Sequence, residues 1–270
     1  MKFSANKIKN MKGKEKITAI TAYDYPMSQA VDRAGVNIVL VGDSLGMVVL
    51  GEKTTLSLTM ETMLYHLKAV RRGTERALLV VDMPYGSYHI SEQEAVKNAI
   101  TFVKEGGAES VKIEGVCGKE KVIEKIILSD IPVMGHIGLT PQSINRFGGF
   151  KIQGKTEESG KQLIKEAKKL EELGVYSIVL ESIPEELAKE ITASISIPTI
   201  GIGAGRFCDG QILVLHDLIG LNYGLTPSFV REYANVKGII EKGVKNYLND
   251  VKTGKFPSEK EVYKIKKGEE

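Results

Sequence analysis

NIVLVGD (37–43), ALLVVDMP (77–84) and SVKIEG (110–115) set the pattern of this chain: a short β-branched run that closes on an acidic side chain. Runs of this kind suit parallel strands that helices cover on the outside. Outward from these three, the pattern recurs in ITAITAYD (17–24), PVMGHIG (132–138), SIVLES (177–182), PTIGIGA (198–204) and QILVLHDLIG (211–220). Amphipathic stretches separate most of them. SEQEAVKNAITFVKEGGA (91–108) opens on Ser91 with Glu94 three residues later, a capping-box spacing, and closes at Gly106-Gly107. EELAKEITASIS (185–196) follows Pro184, which suits the start of a helix. The link at 205–210 is too short for a full helix. Eight strand candidates with intervening helices predict a (β/α)8 TIM barrel, with an open doubly wound sheet of six or seven strands as the alternative. One domain is expected over 1–270, ending in a C-terminal helix at about 227–251 and a tail.

Composition narrows the function classes. Hydrophobic residues make up 42% of the 270, enough for a sizeable core, and no apolar run approaches the roughly 18 residues of a membrane span. MKFSANKIKN at the N-terminus has no apolar core of signal-peptide type, so the cytoplasm is the expected location. Cys117 and Cys208 lack a CxxC or His partner nearby and read as free thiols. The net charge of +3 is interspersed, as in KTEESGKQLIKEAKKLEELG (155–174), where both signs alternate at helical spacing. No basic stripe points to nucleic acid.

Parallel barrels place their active sites at the C-terminal ends of the strands. Those ends carry Tyr23-Asp24, Asp43-Ser44, Asp82, Lys112 and Glu114, His136, Glu181, the GIGAG run (201–205) and His216-Asp217. Any one acid after a strand is usually a turn former or helix cap; the whole set on one face points to a polar active site. Asp43, Asp82 and Glu114 lie on adjacent strands, and three carboxylates converging there call for a cation. Hard oxygen ligands favour Mg²⁺. Lys112 and Glu114 are two apart and share a face, leaving Val111 and Ile113 toward the helices. Lys112 could bind a substrate carboxylate, form a Schiff base, or simply pair with Glu114. Glu181, across the barrel, could act as a base. His136 could donate a hydrogen bond to substrate or be a satisfied core histidine. The glycines of GIGAG read as room for a ligand or neighbouring loop rather than as a phosphate cradle.

Longer motifs carry a resemblance. TAYDYP (21–26), LVGDSLGMVVLG (40–51), YHLKAVRRG (65–73), PYGSY (84–88), VKIEG (111–115), PVMGHIGLTPQS (132–143), GGFKIQGK (148–155), IPTIGIGAG (197–205), CDGQILVLHDLIG (208–220) and KFPSEKEVY (255–263) resemble the ketopantoate hydroxymethyltransferase family in order, from about residue 3 to 263. The KKCGH-type segment of the related isocitrate lyase and phosphoenolpyruvate mutase enzymes is absent. The resemblance implies transfer of a one-carbon unit from 5,10-methylenetetrahydrofolate to 3-methyl-2-oxobutanoate through an enolate, giving 2-dehydropantoate on the route to pantothenate. It further implies Mg²⁺ held by Asp43, Asp82 and Glu114, substrate contacts from Asp43, Ser44, Asp82 and Lys112, Glu181 as base, and a homo-oligomer, typically a decamer. Arg206-Phe207 and the extension KIKKGEE (264–270) depart from the family pattern. Two rival readings are a Schiff-base aldolase using Lys112 and a non-catalytic barrel scaffold.

Overall fold

The structure is a computed structural model that describes residues 2–224 and 226–264; all but the first residue of the KIKKGEE extension lies outside them. In chain order the elements are α1 (Ala5–Lys9), β1 (Ile17–Thr21), α2 (Tyr25–Ala34), β2 (Ile38–Val41), α3 (Leu45–Val48), α4 (Met60–Gly73), β3 (Leu78–Asp82), α5 (Glu92–Gly106), β4 (Ser110–Glu114), α6 (Glu120–Ile127) and β5 (Val133–Gly138). A 3₁₀ turn (Pro141–Ser143) follows, then α7 (Ile144–Phe147), α8 (Glu157–Glu172), β6 (Ser177–Glu181), α9 (Glu185–Ser194), β7 (Thr199–Ile202), β8 (Gly210–Leu213), α10 (Leu215–Leu218) and α11 (Val236–Lys252). The strands pair in parallel in sequence order and β8 pairs back onto β1, so the sheet is a closed (β/α)8 barrel. The open-sheet alternative is thereby excluded.

Inward positions grade from apolar to ionisable along β3, β5 and β6. Leu78 and Val80 precede Asp82 on β3, Met134 precedes His136 on β5, and Val179 precedes Glu181 on β6. Ile38, Leu40, Leu78, Val80, Met134, Val179, Ile200 and Ile212 form one buried cluster, into which Ile8 and Met11 pack from α1 and the turn after it. That short N-terminal helix, which periodicity did not reveal, supplies apolar side chains to the barrel's interior. Burying each such side chain contributes roughly 1.5–3 kcal/mol. Val111 and Ile113 are fully buried on the other face of β4, as the two-residue alternation requires.

Local signals act as read, with some differences. The Ser91 hydroxyl accepts from the Glu94 N–H and Gly107 ends α5 in the left-handed region. Thr156 and Ser159 form a reciprocal capping box at the start of α8. The run read as a strand at 211–220 stops at Leu213, and His216 and Asp217 belong to α10 instead. Cys117 and Cys208 are free.

Residues through Leu215 form one compact unit and those from His216 onward a second. In the second unit α11 begins at Val236, not near Pro227, because Asn235 is the residue whose side chain caps it, accepting from the Gly238 N–H at 2.9 Å. None of its residues is buried, and Ile239, Tyr247 and Val251 on it are exposed.

Candidate active site

Strand register assembles the site. Asp82 on β3 lies beside Lys112 on β4, and Glu114 on β4 lies beside His136 on β5. The Lys112 ammonium is 3.0 Å from Asp82 Oδ1, 3.9 Å from Glu114 Oε1 and 3.1 Å from His136 Nδ1. His136 Nδ1 is also 3.5 Å from Glu114 Oε1, and its Nε2 is 3.2 Å from Glu181 Oε2. That last pair is at hydrogen-bond distance but off the N–H axis. Asp43 sits just past β2, and its backbone N–H donates to Asp82 Oδ2 at 2.9 Å. Asp43, Asp82, Lys112, Glu114, His136 and Glu181 thus form one connected row across the C-terminal ends of β2 to β6. All but Glu181 are buried; 16% of the Glu181 side chain is exposed, which makes it the row's accessible end.

Two glycines allow this approach. A Cβ on Gly42 would come 3.0 Å from Ser44 Oγ and 3.5 Å from Asp82 Oδ2. Gly138 ends β5 with φ +95°, and a Cβ there would sit 2.3 Å from the Glu181 carbonyl oxygen. Only glycine at 138 lets the ends of β5 and β6 meet this closely.

Electrostatics follow from burial and neighbours. Burial, then Glu114 and Asp82, push the Asp43 carboxyl well above the usual carboxylate range, against Lys112 and Gln142. Burial also raises Asp82, although Lys112 and the Asp43 N–H oppose it. Burial would raise Glu114 too, but His136, Lys112 and the Gln142 N–H outweigh it and hold that carboxyl low. Burial opposes charge on Lys112, yet Asp82, Glu114 and Asp43 keep it protonated above its ordinary value. Burial and Lys112 likewise oppose charge on His136, and Glu114 and Glu181 overcome them to hold it at about 9. Three buried acids, Asp43, Asp82 and Glu114, thus sit against two basic groups, Lys112 and His136. Asp82 Oδ1 and Glu114 Oε1 are buried without a hydrogen bond, though both face Lys112. This donor set fits a hard divalent cation. Among the described residues no three His, Cys, Asp or Glu side chains gather closely enough to cage a metal by themselves, so a cation here would take at most two side-chain ligands and complete its shell with water or substrate.

Sequence reasoning passed over several groups here. Gln142, on the 3₁₀ turn, donates through Nε2 to Asp43 Oδ2 and the Met83 carbonyl, and its backbone N–H donates to Glu114 Oε2. Tyr88 donates to Gln142 Oε1 at 2.6 Å. Burial raises the Tyr88 phenol well above its ordinary value and so keeps that donor protonated. Lys119 donates to the Glu114 carbonyl. The motifs PYGSY and GLTPQS contained two of these residues, but nothing in their spacing revealed a shared contact. Ser44 is where expected, with its Oγ 2.7 Å from the Tyr23 hydroxyl.

Other strand-end residues serve the scaffold. Asp24 caps α2 by accepting from the Met27 N–H. The GIGAG glycines make room for a neighbouring element: a Cβ on Gly205 would strike Glu185 on α9 at 2.4 Å. Arg206, one of the departures from the family pattern, donates to that same Glu185 through its backbone N–H and Nε.

Comparison with known proteins agrees with the fold and the motifs. The family model described as ketopantoate hydroxymethyltransferase matches residues 2–259. A 3-methyl-2-oxobutanoate hydroxymethyltransferase of Clostridium botulinum strain Langeland is 55% identical over 266 residues, covering 98% of this chain and 97% of the relative. One from Pseudothermotoga lettingae is 54% identical over 261 residues, covering 97% and 98%. Among solved structures, 2,3-dimethylmalate lyase, a member of the PEP mutase/isocitrate lyase superfamily, superposes with a TM-score of 0.60 at 13% identity, over 97% of this chain and 93% of that one; this likeness speaks for the barrel alone. No helix of the described residues is long and apolar enough to cross a membrane. With the family's motifs running the length of the chain and more than half of the residues shared with curated members, the chain belongs to the ketopantoate hydroxymethyltransferase family.

Proposed function

We propose that the chain transfers a hydroxymethyl group from 5,10-methylenetetrahydrofolate to 3-methyl-2-oxobutanoate, giving 2-dehydropantoate, with Mg²⁺ at the Asp43–Asp82 pair. Its curated relatives carry the name of that activity. The observation that carries the reading is the buried row from Asp43 to Glu181, acidic at both ends with a charged lysine between. Asp43 and Asp82 would hold the cation, with Glu114 linked through water. A bound divalent cation polarises the keto carbonyl and so acidifies the proton on C3.

The chain's own groups supply the rest. Lys112, kept protonated by its carboxylate neighbours, offers positive charge to the substrate carboxylate. Asp43, Ser44 and Asp82 line the position of the keto acid. Glu181, the accessible carboxylate, takes the C3 proton. His136 has its Nε2 3.2 Å from Glu181 with no aligned hydrogen bond between them, which leaves that nitrogen to donate to the substrate. A carbon–carbon bond then forms between C3 and the one-carbon group of the folate as one of its two carbon–nitrogen bonds opens. Water adds its oxygen to that carbon as the second carbon–nitrogen bond breaks, and the C3 proton and one from water end on the nitrogens of the departing tetrahydrofolate.

A Schiff-base route through Lys112 needs a neutral amine, which this setting opposes. The proposal extends to a cytoplasmic homo-oligomer, a decamer, and to a single barrel domain carrying its C-terminal helix. An assay of 2-dehydropantoate formation with and without chelator tests it. Turnover should vanish with chelator and return with Mg²⁺. Unchanged turnover with chelator, together with borohydride trapping of the keto acid on Lys112, would favour the Schiff-base route instead.

A further inference from the structure

Gln142 is buried, and its amide has every polar atom engaged at good distance. Nε2 donates to Asp43 Oδ2 at 2.9 Å and to the Met83 carbonyl at 3.0 Å, and Oε1 accepts from the Tyr88 hydroxyl at 2.6 Å. A carbonyl oxygen can only accept, so Met83 fixes which end of the amide is nitrogen. The backbone N–H of the same residue takes Glu114 Oε2 at 3.0 Å. One residue therefore occupies one oxygen on each of two carboxylates that come from β2 and β4. Asp82 Oδ2 is occupied by the Asp43 N–H and its Oδ1 faces Lys112. The oxygens left for a ligand are thereby selected: Asp43 Oδ1 makes none of these contacts, whereas Asp82 Oδ1 and Glu114 Oε1, also without a hydrogen bond, both face Lys112.

We infer that Gln142, oriented by Tyr88, is a positioning residue for the divalent-cation site: it turns the Asp43 carboxylate so that Oδ1 faces the cation and keeps Glu114 Oε2 out of its shell. This rests on the cation reading above. Tyr88 and Gln142 are each held by a different loop, after β3 and after β5, so the link also ties two strand-end loops to Asp43.

Two variants test it, with Mn²⁺ as probe, free ion read by electron paramagnetic resonance, and folding checked by circular dichroism and thermal unfolding. Gln142→Met keeps length and removes all three side-chain hydrogen bonds. Its cation affinity should fall about 10–100-fold, the usual cost of losing an outer partner of a metal ligand. Tyr88→Phe removes a single bond to Oε1 and keeps the buried ring; affinity should fall in the same direction by about 2–10-fold, the net worth of one neutral hydrogen bond. Excess Mg²⁺ should restore turnover in both. A merely structural role would lower the unfolding temperature while leaving affinity per folded molecule unchanged. Folded variants that both bind Mn²⁺ within about twofold of the parent, less than one such bond is worth, overturn the inference. A parent chain that binds no Mn²⁺ overturns the cation reading, and this one with it, so the two failures are told apart. Should Gln142→Met not fold, Tyr88→Phe alone decides.

Discussion

Asp82 shows how much one side chain does here. Its Oδ2 accepts the Asp43 N–H and its Oδ1 faces Lys112, so it orders a neighbour on each side, and it is also one of the two cation ligands proposed above. Asp82→Asn keeps the shape and removes the charge. Cation affinity should fall by about 100-fold or more, since a direct ligand is worth at least as much as the outer partners whose loss costs 10–100-fold. Keto-acid binding should weaken with it; calorimetric titration that finds parental affinity in this variant would falsify the ligand assignment. Asp43 adds a pH dependence. Burial and its acidic neighbours raise its pKa, so the free site holds a proton at pH values where an ordinary aspartate does not. A cation must displace that proton. Affinity should therefore rise with pH and flatten above the raised pKa, with proton uptake by buffer on binding. Titration in buffers of differing ionisation enthalpy measures this; a flat affinity and no proton release would count against it.

At the scale of elements, the meeting of β5 and β6 is the tightest joint near the site. Gly138 has φ +95° and no room for a Cβ against the Glu181 carbonyl. Gly138→Ala should cost at least about 1–3 kcal/mol of unfolding free energy, the range for a side chain forced into an unfavourable backbone region, and should displace Glu181. Urea denaturation checks the first effect; an unchanged midpoint would show that the joint relaxes freely. This joint also marks where sequence reading ran out. The strands are readable because each is an apolar run of fitting length, and the alternation on β4 places Lys112 and Glu114 on one face. Strand order followed from the barrel, and with it the adjacency of Asp82, Lys112, Glu114 and His136. Contacts between loops were not readable. Gln142 reaches Asp43 across 99 positions of sequence, and no local pattern encodes such a distance. Helix α1 is five residues long, too short to show a period. QILVLHDLIG misled for a related reason: its first three residues end strand β8 and run almost at once into a short helix, and both are apolar enough to look like one strand.

At the scale of the molecule, α11 bears on assembly. It buries none of its residues and exposes Ile239, Ile240, Val244, Tyr247, Leu248 and Val251, an apolar surface that an assembly could cover. Sedimentation should find a species larger than a dimer, with the mass of a decamer, at micromolar concentration; a stable monomer would contradict the assembly proposal. The barrel itself gives the site its reach, since closure sets β6 across from β2 and so stands Glu181 opposite Asp43. Whether this arrangement makes a keto acid give up its C3 proton is the point on which the functional reading rests. The direct measurement is exchange of the C3 hydrogen of 3-methyl-2-oxobutanoate in deuterated water, without folate, followed by NMR. The parent chain with Mg²⁺ should catalyse the exchange, and Glu181→Gln should slow it by about 10²–10⁴-fold, the usual worth of a positioned base, while still binding the keto acid. Near-parental exchange by Glu181→Gln would remove Glu181 from the role of base, and no exchange by the parent chain under any divalent cation would contradict the enolising site altogether.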